Sequence, residues 1–162
     1  FHRPVVCFVD TAGAFCGIDA EERGQGQAIA ENLMEMSALR TPILSVFIGE
    51  GGSGGALALA VADEVWMLER AVYSVISPEG CASILWKDPK KVKEAAECLK
   101  MTAEDLLRFG VADRIFSEKK GYDALYAQLG SELAQTLSAK KEMPLDALLE
   151  ARYERFRKIG RV

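Results

Sequence analysis

Apolar runs separated by polar, capped segments mark the first part of the chain as α/β. Residues 4–10 and 42–48 are continuous apolar runs of the kind that form strands buried on both faces. Between them, Asp19 and Glu22 resemble a capping box and predict a helix that continues to about Leu39. We therefore expect strand, helix and strand in that order, and a parallel sheet.

A glycine-rich segment follows the second run. Residues 49–55 have the sequence Gly-Glu-Gly-Gly-Ser-Gly-Gly, and the small apolar residues 56–62 after them are strong helix formers. This order predicts a glycine loop between a strand and a helix, in which no Cβ keeps a ligand away from backbone N–H groups. Because a helix N-terminus favours negative charge, the junction predicts an anion or oxyanion site.

The second part of the chain alternates short strands with helices. Strand signals occur at 64–68, 72–77 and 111–116, and the last two helices are predicted over 122–137 and 144–159. The final helix and the residues after it carry five basic side chains, which we interpret as a solvated face, with a docking surface for an acidic partner as the alternative. These side chains are Arg152, Arg155, Arg157, Lys158 and Arg161.

Composition limits the function classes. The 162 residues are 49% hydrophobic, which suits one domain, and the net charge of −4 argues against a nucleic-acid surface. The four cysteines lack zinc-ribbon spacing, so we expect a reduced, cytoplasmic protein without a metal, and no apolar run is long enough to predict a membrane span. The chain starts on a strand signal without Met, so we expect it to be a piece of a longer protein.

The glycine segment matches two known motifs incompletely. Gly49, Gly51 and Gly54 have the spacing of a dinucleotide fingerprint, and Glu69 follows at the distance expected of a ribose-binding carboxylate, but the helix behind the loop is short. No Lys follows the glycines, which excludes a Walker loop, and a flexible linker does not belong between a buried strand and a helix.

Ser53 lies in the G-x-S-x-G pattern of serine hydrolases. That chemistry needs a downstream histidine, and His2 is the single histidine of the chain. What remains is a site that stabilises negative charge on an oxygen through backbone donors.

Three segments together resemble one family. They are Gly-Glu-Gly-Gly-Ser-Gly-Gly-Ala-Leu-Ala from position 49, Ser-Pro-Glu-Gly-Cys-Ala-Ser-Ile-Leu-Trp-Lys from position 77 and Ala-Glu-Glu-Arg-Gly-Gln from position 20. The chain resembles the α subunits of bacterial acetyl-CoA carboxylase carboxyltransferase over residues 4 to about 118. By this resemblance, we expect the chain to correspond to about the C-terminal half of such a subunit.

The resemblance implies a crotonase-like (ClpP/crotonase) α/β spiral of βαβ units with C-terminal helices. Residues 1–120 would form the carboxyltransferase core without its N-terminal part, and residues 121–162 a helical extension of it. The implied reaction, part of fatty acid biosynthesis in the cytoplasm, transfers a carboxyl group from carboxybiotin on a carrier protein to acetyl-CoA, giving malonyl-CoA. The alternatives are another crotonase-like acyl-CoA carboxylase or decarboxylase subunit and, less favoured, a dinucleotide-binding module.

The same resemblance implies partners. They are a β subunit, in a complex of two α and two β chains, the biotin carboxyl carrier protein and the biotin carboxylase of an ATP-binding complex. The family's zinc ribbon belongs to the β subunit. Residues 56–62 and 81–86 are candidates for surfaces buried in that assembly, or for ordinary core.

Site residues carried over from the family centre on the glycine segment. The N–H groups of Gly54 and Gly55 are the expected oxyanion donors, while Gly51, Gly52 and Ser53 shape the loop. The turn at residues 11–17 is expected to be a wall of the site and to bind substrate. Its assigned residues are Thr11, Gly13 and Ala14.

Four other residues of the matched regions raise narrower expectations. Ala12 and Cys16 stand where the family usually has prolines, which predicts a less rigid turn; Cys16 is expected to be an inert small residue, with a reactive thiol as the alternative. Glu79 is expected to accept hydrogen bonds at a helix end. Arg23, near a helix start, is expected to meet an anion or a carboxylate.

Overall fold

The computed structural model describes residues 1–161 and is an α/β protein, as predicted. In chain order, the elements of the first half are β1 (Val5–Thr11), α1 (Ile18–Glu22), α2 (Gln25–Ala38), β2 (Ile43–Gly52), α3 (Ser53–Ala60), β3 (Glu64–Leu68) and β4 (Val72–Ser74). They are followed by α4 (Pro78–Leu85), a 3₁₀ turn (Pro89–Lys91), α5 (Val92–Leu99), α6 (Ala103–Arg108), β5 (Arg114–Phe116), α7 (Tyr122–Lys141) and α8 (Leu145–Lys158).

All strand pairs of the sheet are parallel. The order is β1-β2-β3-β5, and β4 also pairs with β2. β3 and β4 pair one after the other with β2: β3 pairs with Leu44 to Phe47, and β4 pairs with Glu50 to Gly52. The carboxyl end of β2 is therefore held between β1 and β4.

The long central strand β2 organises the core. Ile43, Leu44, Val46 and Phe47 are fully buried. Successive residues of a strand point to opposite faces, and accordingly Leu44 joins a cluster with residues of α3, β3 and α7, whereas Ile43 joins one with residues of α2 and α8. The C-terminal helices therefore contribute to the core; the boundary between core and extension at residue 120 stays a prediction.

The helix predicted from Asp19 to Leu39 is wrong as a single element. It is two helices, because Gly24 adopts a left-handed conformation with φ of 78° between α1 and α2. The N-cap of α1 is Gly17 instead of Asp19, and no side chain caps it. A left-handed residue interrupts α-helical hydrogen bonding, and glycine adopts that conformation without steric cost.

The predicted glycine loop is also wrong in its conformation. β2 continues through Gly52, and α3 begins directly at Ser53. Close neighbours favour glycine there: a Cβ at Gly51 would overlap the ring of the buried Phe47, and one at Gly52 the carbonyl oxygen of Ala12. At Gly49 a Cβ would displace the carboxylate of Asp10.

The basic face predicted for the last helix is partly wrong. The side chain of Arg152 is only 2% exposed and pairs with Asp63, and the side chain of Arg155 is 11% exposed and pairs with Asp113. Arg157, Lys158 and Arg161 are exposed, as expected. The helix therefore turns two of its arginines inward, where they bind α8 to the strand ends.

Two global features concern the described part of the chain. All four cysteines are free thiols, and burial raises the pKa of Cys7, an effect opposed by a hydrogen bond with Ser45. No helix within residues 1–161 combines the length and apolar character needed to cross a bilayer.

Candidate functional site

The N-terminus of α3 is the centre of the candidate site. Ser53, the first helical residue, has a positive φ of 51°, so the chain turns sharply from strand into helix. Gly54 and Gly55 are the next two residues, and N–H groups at these positions have no acceptor within their own helix. The N-cap residue, Gly52, has no side chain that could accept from them. The structure therefore leaves backbone donors at the end of β2, where they were predicted.

The turn at residues 11–17 packs against this helix end. Gly13 has a φ of 116°, and a Cβ on Gly55 would lie 3.0 Å from the carbonyl carbon of Gly13 and 3.1 Å from the nitrogen of Ala14. Thr11 pairs with Gly51 in the sheet. The structure thus brings together the turn and the glycine segment, as the resemblance predicted.

Gly13, assigned to the substrate-binding turn, uses its N–H within the turn itself. Its N–H donates to the hydroxyl oxygen of Thr11 at 3.2 Å, so it is already engaged within the turn. Ala14 remains the donor candidate on this side, since its nitrogen lies against Gly55. Thr11 acquires a defined structural part, which is to hold the left-handed residue of the turn.

Gly54 has more space than its neighbours. A Cβ built on Gly54 would meet only the Cγ2 of Ile29, at an ordinary contact distance of 3.6 Å. Glycine at this position is therefore not demanded by the packing of the protein itself. The start of α3 is therefore open on the side of Gly54.

A cavity of about 380 Å³ opens beside Ser53 and Gly54. It lies between α3, β4, α6 and α8, and its wall is mostly apolar. The residues lining it beyond the helix start include Leu57, Val65, Tyr73, Val75, Leu106, Val111, Arg155 and Phe156. A cavity of this size and character can receive an apolar portion of a small ligand.

Tyr73 and Arg155 are polar residues of this cavity whose place in the site was not predicted from the sequence. Burial raises the pKa of the Tyr73 hydroxyl, an effect opposed by the positive charge of Arg155, so Tyr73 is a neutral phenol near pH 7. Its ring packs on Phe47 with centroids 4.5 Å apart. The sequence signal that could have indicated an inward position for Arg155 is its three-residue spacing from Arg152, because this spacing places both side chains on one helix face. No sequence signal indicated Tyr73, whose position depends on pairing between β4 and β2.

A serine–histidine site is excluded by distance. His2 precedes β1, whereas Ser53 lies near the far end of that strand. The seven residues of β1 separate the two by roughly 20 Å.

The dinucleotide fingerprint also lacks its geometry. Gly49 and Gly51 lie in the strand instead of forming a phosphate-binding turn, and Glu69 accepts a hydrogen bond from the hydroxyl of Ser117 at 2.7 Å. The N–H of Glu50 donates to Asp10 at 2.9 Å, so this donor is engaged too.

The remaining charged candidates lie outside the glycine site. The cap of α4 is Ser77, whose hydroxyl accepts from the N–H of Gly80 at 3.1 Å, so the capping role expected of Glu79 is wrong. Arg23 lines a shallow surface depression with Asp19 and Phe15. Cys16 is exposed. Within residues 1–161, no group of three His, Cys, Asp or Glu side chains is placed to hold a metal ion.

Comparison with known proteins identifies the family of the chain. Residues 1–160 match the family model described as acetyl co-enzyme A carboxylase carboxyltransferase-like. The chain belongs to this family. It is 60% identical to the acetyl-coenzyme A carboxylase carboxyl transferase subunit alpha of Ruminiclostridium cellulolyticum, over 100% of the chain and 63% of the relative. It is 58% identical to the corresponding subunit of Streptococcus sanguinis, over 98% of the chain and 62% of the relative. The chain thus spans about three fifths of these relatives, more than the half expected.

Solved structures show the fold. A Pseudomonas malonate decarboxylase hetero-tetramer in complex with coenzyme A superposes with a TM-score of 0.77 at 18% identity, covering 93% of this chain and 61% of that one. Transcarboxylase 12S gives 0.75 at 21% identity, covering 89% and 29%. A probable enoyl-CoA hydratase from Mycobacterium smegmatis gives 0.59 at 23% identity, covering 95% and 66%. The predicted crotonase-like fold is therefore confirmed.

Proposed function

We propose that this chain is part of the α subunit of an acetyl-CoA carboxylase carboxyltransferase, which transfers a carboxyl group to acetyl-CoA and so forms malonyl-CoA for fatty acid synthesis. The observation that carries the proposal is the start of α3, where Gly54 and Gly55 present N–H groups beside an apolar cavity. Family membership names the reaction for which such a site is suited.

The chemistry requires stabilisation of an oxygen that gains negative charge. Carbon–carbon bond formation requires an enolate-like acetyl thioester, formed when the acetyl group loses a proton. Carboxybiotin on the carrier protein would supply the carboxyl group, and the biotin left behind, with negative charge on its ureido oxygen, would accept that proton before the new carbon–carbon bond forms. The N–H groups of Gly54 and Gly55 hold one of these oxygens, and the dipole of α3 favours its charge.

The rest of the site positions these donors and needs no strong base. Gly51 and Gly52 allow β2 to pass close to Phe47 and to the turn, so the helix start is held beside Ala14. Thr11, Gly13 and Ala14 form the wall that contacts substrate, with the N–H of Ala14 as an additional donor. The neutral hydroxyl of Tyr73 provides a polar group inside the apolar cavity.

The proposed site is completed by a carboxyltransferase β subunit, in a cytoplasmic complex of two α and two β chains. The biotin carboxyl carrier protein, which bears the carboxybiotin, and a biotin carboxylase are the further partners. Exposed apolar side chains at the end of α4 support a contact there, since Ile84 is 67% exposed and Leu85 64% exposed. α3 is a weaker candidate for such a contact, because Ala56, Ala58 and Ala60 are already buried in the core.

Reconstitution tests the proposal. The complete α subunit, mixed with β and separated by size exclusion with light scattering, is expected to form a heteromeric complex. Carboxylation of biotin that depends on malonyl-CoA is expected only in that fraction and is expected to be lost in Gly54→Val. Full activity of α freed of β would contradict the shared site, and tight binding of NAD by α would favour a dinucleotide module instead.

A further inference from the structure

The side chain of Gln25 forms a two-bonded clamp on the backbone of Phe15. The amide nitrogen Nε2 of Gln25 donates to the carbonyl oxygen of Phe15 at 2.8 Å, and the oxygen Oε1 accepts from the N–H of Phe15 at 3.2 Å. One carboxamide therefore satisfies both backbone groups of a single residue. Only a side chain with a donor and an acceptor on the same planar group can do this.

Phe15 directly follows the part of the turn that touches the helix start. Gly13 and Ala14 lie against Gly55, and Thr11 holds the turn at its beginning through the N–H of Gly13. Gln25 holds it on the other side of Ala14. Within residues 1–161, no other side chain is hydrogen-bonded to the backbone of residues 12–17.

The interruption of the helix explains how Gln25 reaches the turn. Gly24 is left-handed and separates α1 from α2, so that Gln25 is the first residue of α2. A continuous helix would carry this side chain along a different direction. This geometry explains why Gly24 and Gln25 occur next to each other in the motif of residues 20–25, which the sequence alone did not reveal.

We propose that Gln25 is a positioning residue that fixes Ala14 against the oxyanion site at Gly54 and Gly55. It does not touch the reacting atoms but acts through the turn. The inference rests on the proposed function for its catalytic consequence, whereas the ordering of the turn is independent of that function.

Hydrogen exchange of the complete α subunit tests the clamp itself. In Gln25→Ala, the amides of residues 14–16 are expected to exchange about fivefold faster or more, because the hydrogen bonds that order them are lost. In Gln25→Glu the carboxylate can accept from Phe15 but repels its carbonyl oxygen, so faster exchange is expected there too. The control is Gln27→Ala, whose side chain donates to Glu31 on the same helix and does not contact the turn. Unchanged exchange in both Gln25 variants would overturn the proposal.

Activity of the reconstituted complex tests the consequence. Gln25→Ala is expected to lower kcat by about 10- to 100-fold, since small misplacements of site groups cost that much, while Gln27→Ala stays near the wild-type rate. Combined with Gly54→Ala, the loss is expected to be smaller than the product of the two single losses, because both changes damage one site. Independent effects that multiply, or a normal kcat in Gln25→Ala, would overturn the positioning role. An inactive wild-type complex would instead overturn the proposed function, and the exchange result would still decide whether the clamp exists.

Discussion

The start of α3 and the buried contact that holds α8 lie at opposite ends of β2 and are built in opposite ways. We call this contact, formed by Arg152 and Asp63, the anchor of α8. At the start of α3, glycines remove side chains, so that backbone groups come close to the turn and to a ligand. At the anchor, one long side chain, that of Arg152, occupies the buried space between α8, α2 and the beginning of β2. The start of α3 therefore depends on the absence of side chains, whereas the anchor depends on one buried side chain.

The hydrogen bonds of Arg152 show how much the second arrangement carries. Its guanidinium makes six hydrogen bonds, two to the carboxylate of Asp63 and four to the backbone carbonyl oxygens of Met36, Ser37, Leu39 and Thr41. Asp63 in turn accepts from the N–H of Ile43 at 2.7 Å. The carbonyls of Met36, Ser37 and Leu39 lie at the end of α2, where a helix has acceptors without intrahelical partners and favours a positive charge. The carbonyl of Thr41 lies in the connection between α2 and β2. We expect the anchor to govern stability and the start of α3 to govern activity.

The largest effect is expected at the anchor. Arg152→Met leaves the buried carboxylate of Asp63 without its partner and is expected to lower the free energy of unfolding by about 3–5 kcal/mol. Urea denaturation of the complete subunit measures this. Arg157→Met, on the exposed side of the same helix, is the control and is expected to change stability by less than about 0.5 kcal/mol. Equal effects of the two variants would remove the distinction between the regions.

Activity without loss of stability is the expected signature of the helix start. Gly54→Val places a β-branched side chain where the oxygen approaches, and it is expected to lower kcat by about 10²-fold or more, or about 2.7 kcal/mol of barrier. Gly54→Ala is expected to be intermediate, and its stability to stay within about 1 kcal/mol, because its Cβ meets only Ile29. Rates of the reconstituted complex and urea denaturation of the same preparations give both numbers. A folded Gly54→Val with the wild-type rate would contradict the oxyanion assignment.

A smaller effect on stability is expected at Asp10, which lies beside the strand that leads into the candidate site. Its carboxylate accepts from the N–H of Glu50 and lies against Gly49, so it supports the strand that leads into the site. Asp10→Ala is expected to cost about 1 kcal/mol of unfolding free energy, the usual contribution of such a hydrogen bond. Thermal unfolding measures the cost. Glu69→Ala removes a comparable exposed hydrogen bond away from the site and serves as the matched control. A rate loss as large as that of Gly54→Val would mean that Asp10 belongs to the reacting site.

The smallest effect is expected at Ser53. Ser53→Ala is expected to change kcat by less than about threefold, because His2, the single histidine of the chain, lies at the opposite end of β1 and cannot take the proton of the hydroxyl. Ser53→Gly is expected to raise stability by up to about 1 kcal/mol, since its left-handed φ of 51° strains any residue with a Cβ. Steady-state rates and urea midpoints measure the two effects. If Ser53→Ala were as damaging as Gly54→Val in a folded complex, Ser53 would be a nucleophile or an essential donor.

The sequence by itself determined the features that depend on neighbouring residues. Apolar runs located β1 and the buried part of β2, and the glycine segment was placed at the right strand-to-helix junction. Its motifs also indicated the family, and the resemblance to that family implied Gly54 and Gly55 as donors, two positions that lie at the start of α3. Such features result from local propensity, capping and backbone geometry, which are written within a few residues.

Only the tertiary structure decided the features that depend on distant partners. The extension of β2 through Gly52 requires pairing with β1 and β4, which outweighs the tendency of glycines to form a loop. Arg152 is buried against acceptors that are distant in the sequence, such as the carbonyl oxygen of Met36, 116 positions away. A local sequence pattern therefore cannot distinguish this arginine from a solvated one. The clamp of Gln25 depends in the same way on one left-handed glycine that redirects a helix towards the turn. Hydrogen-bond partners and close contacts of this kind arise when the chain folds back on itself, which is why local sequence patterns did not reveal them.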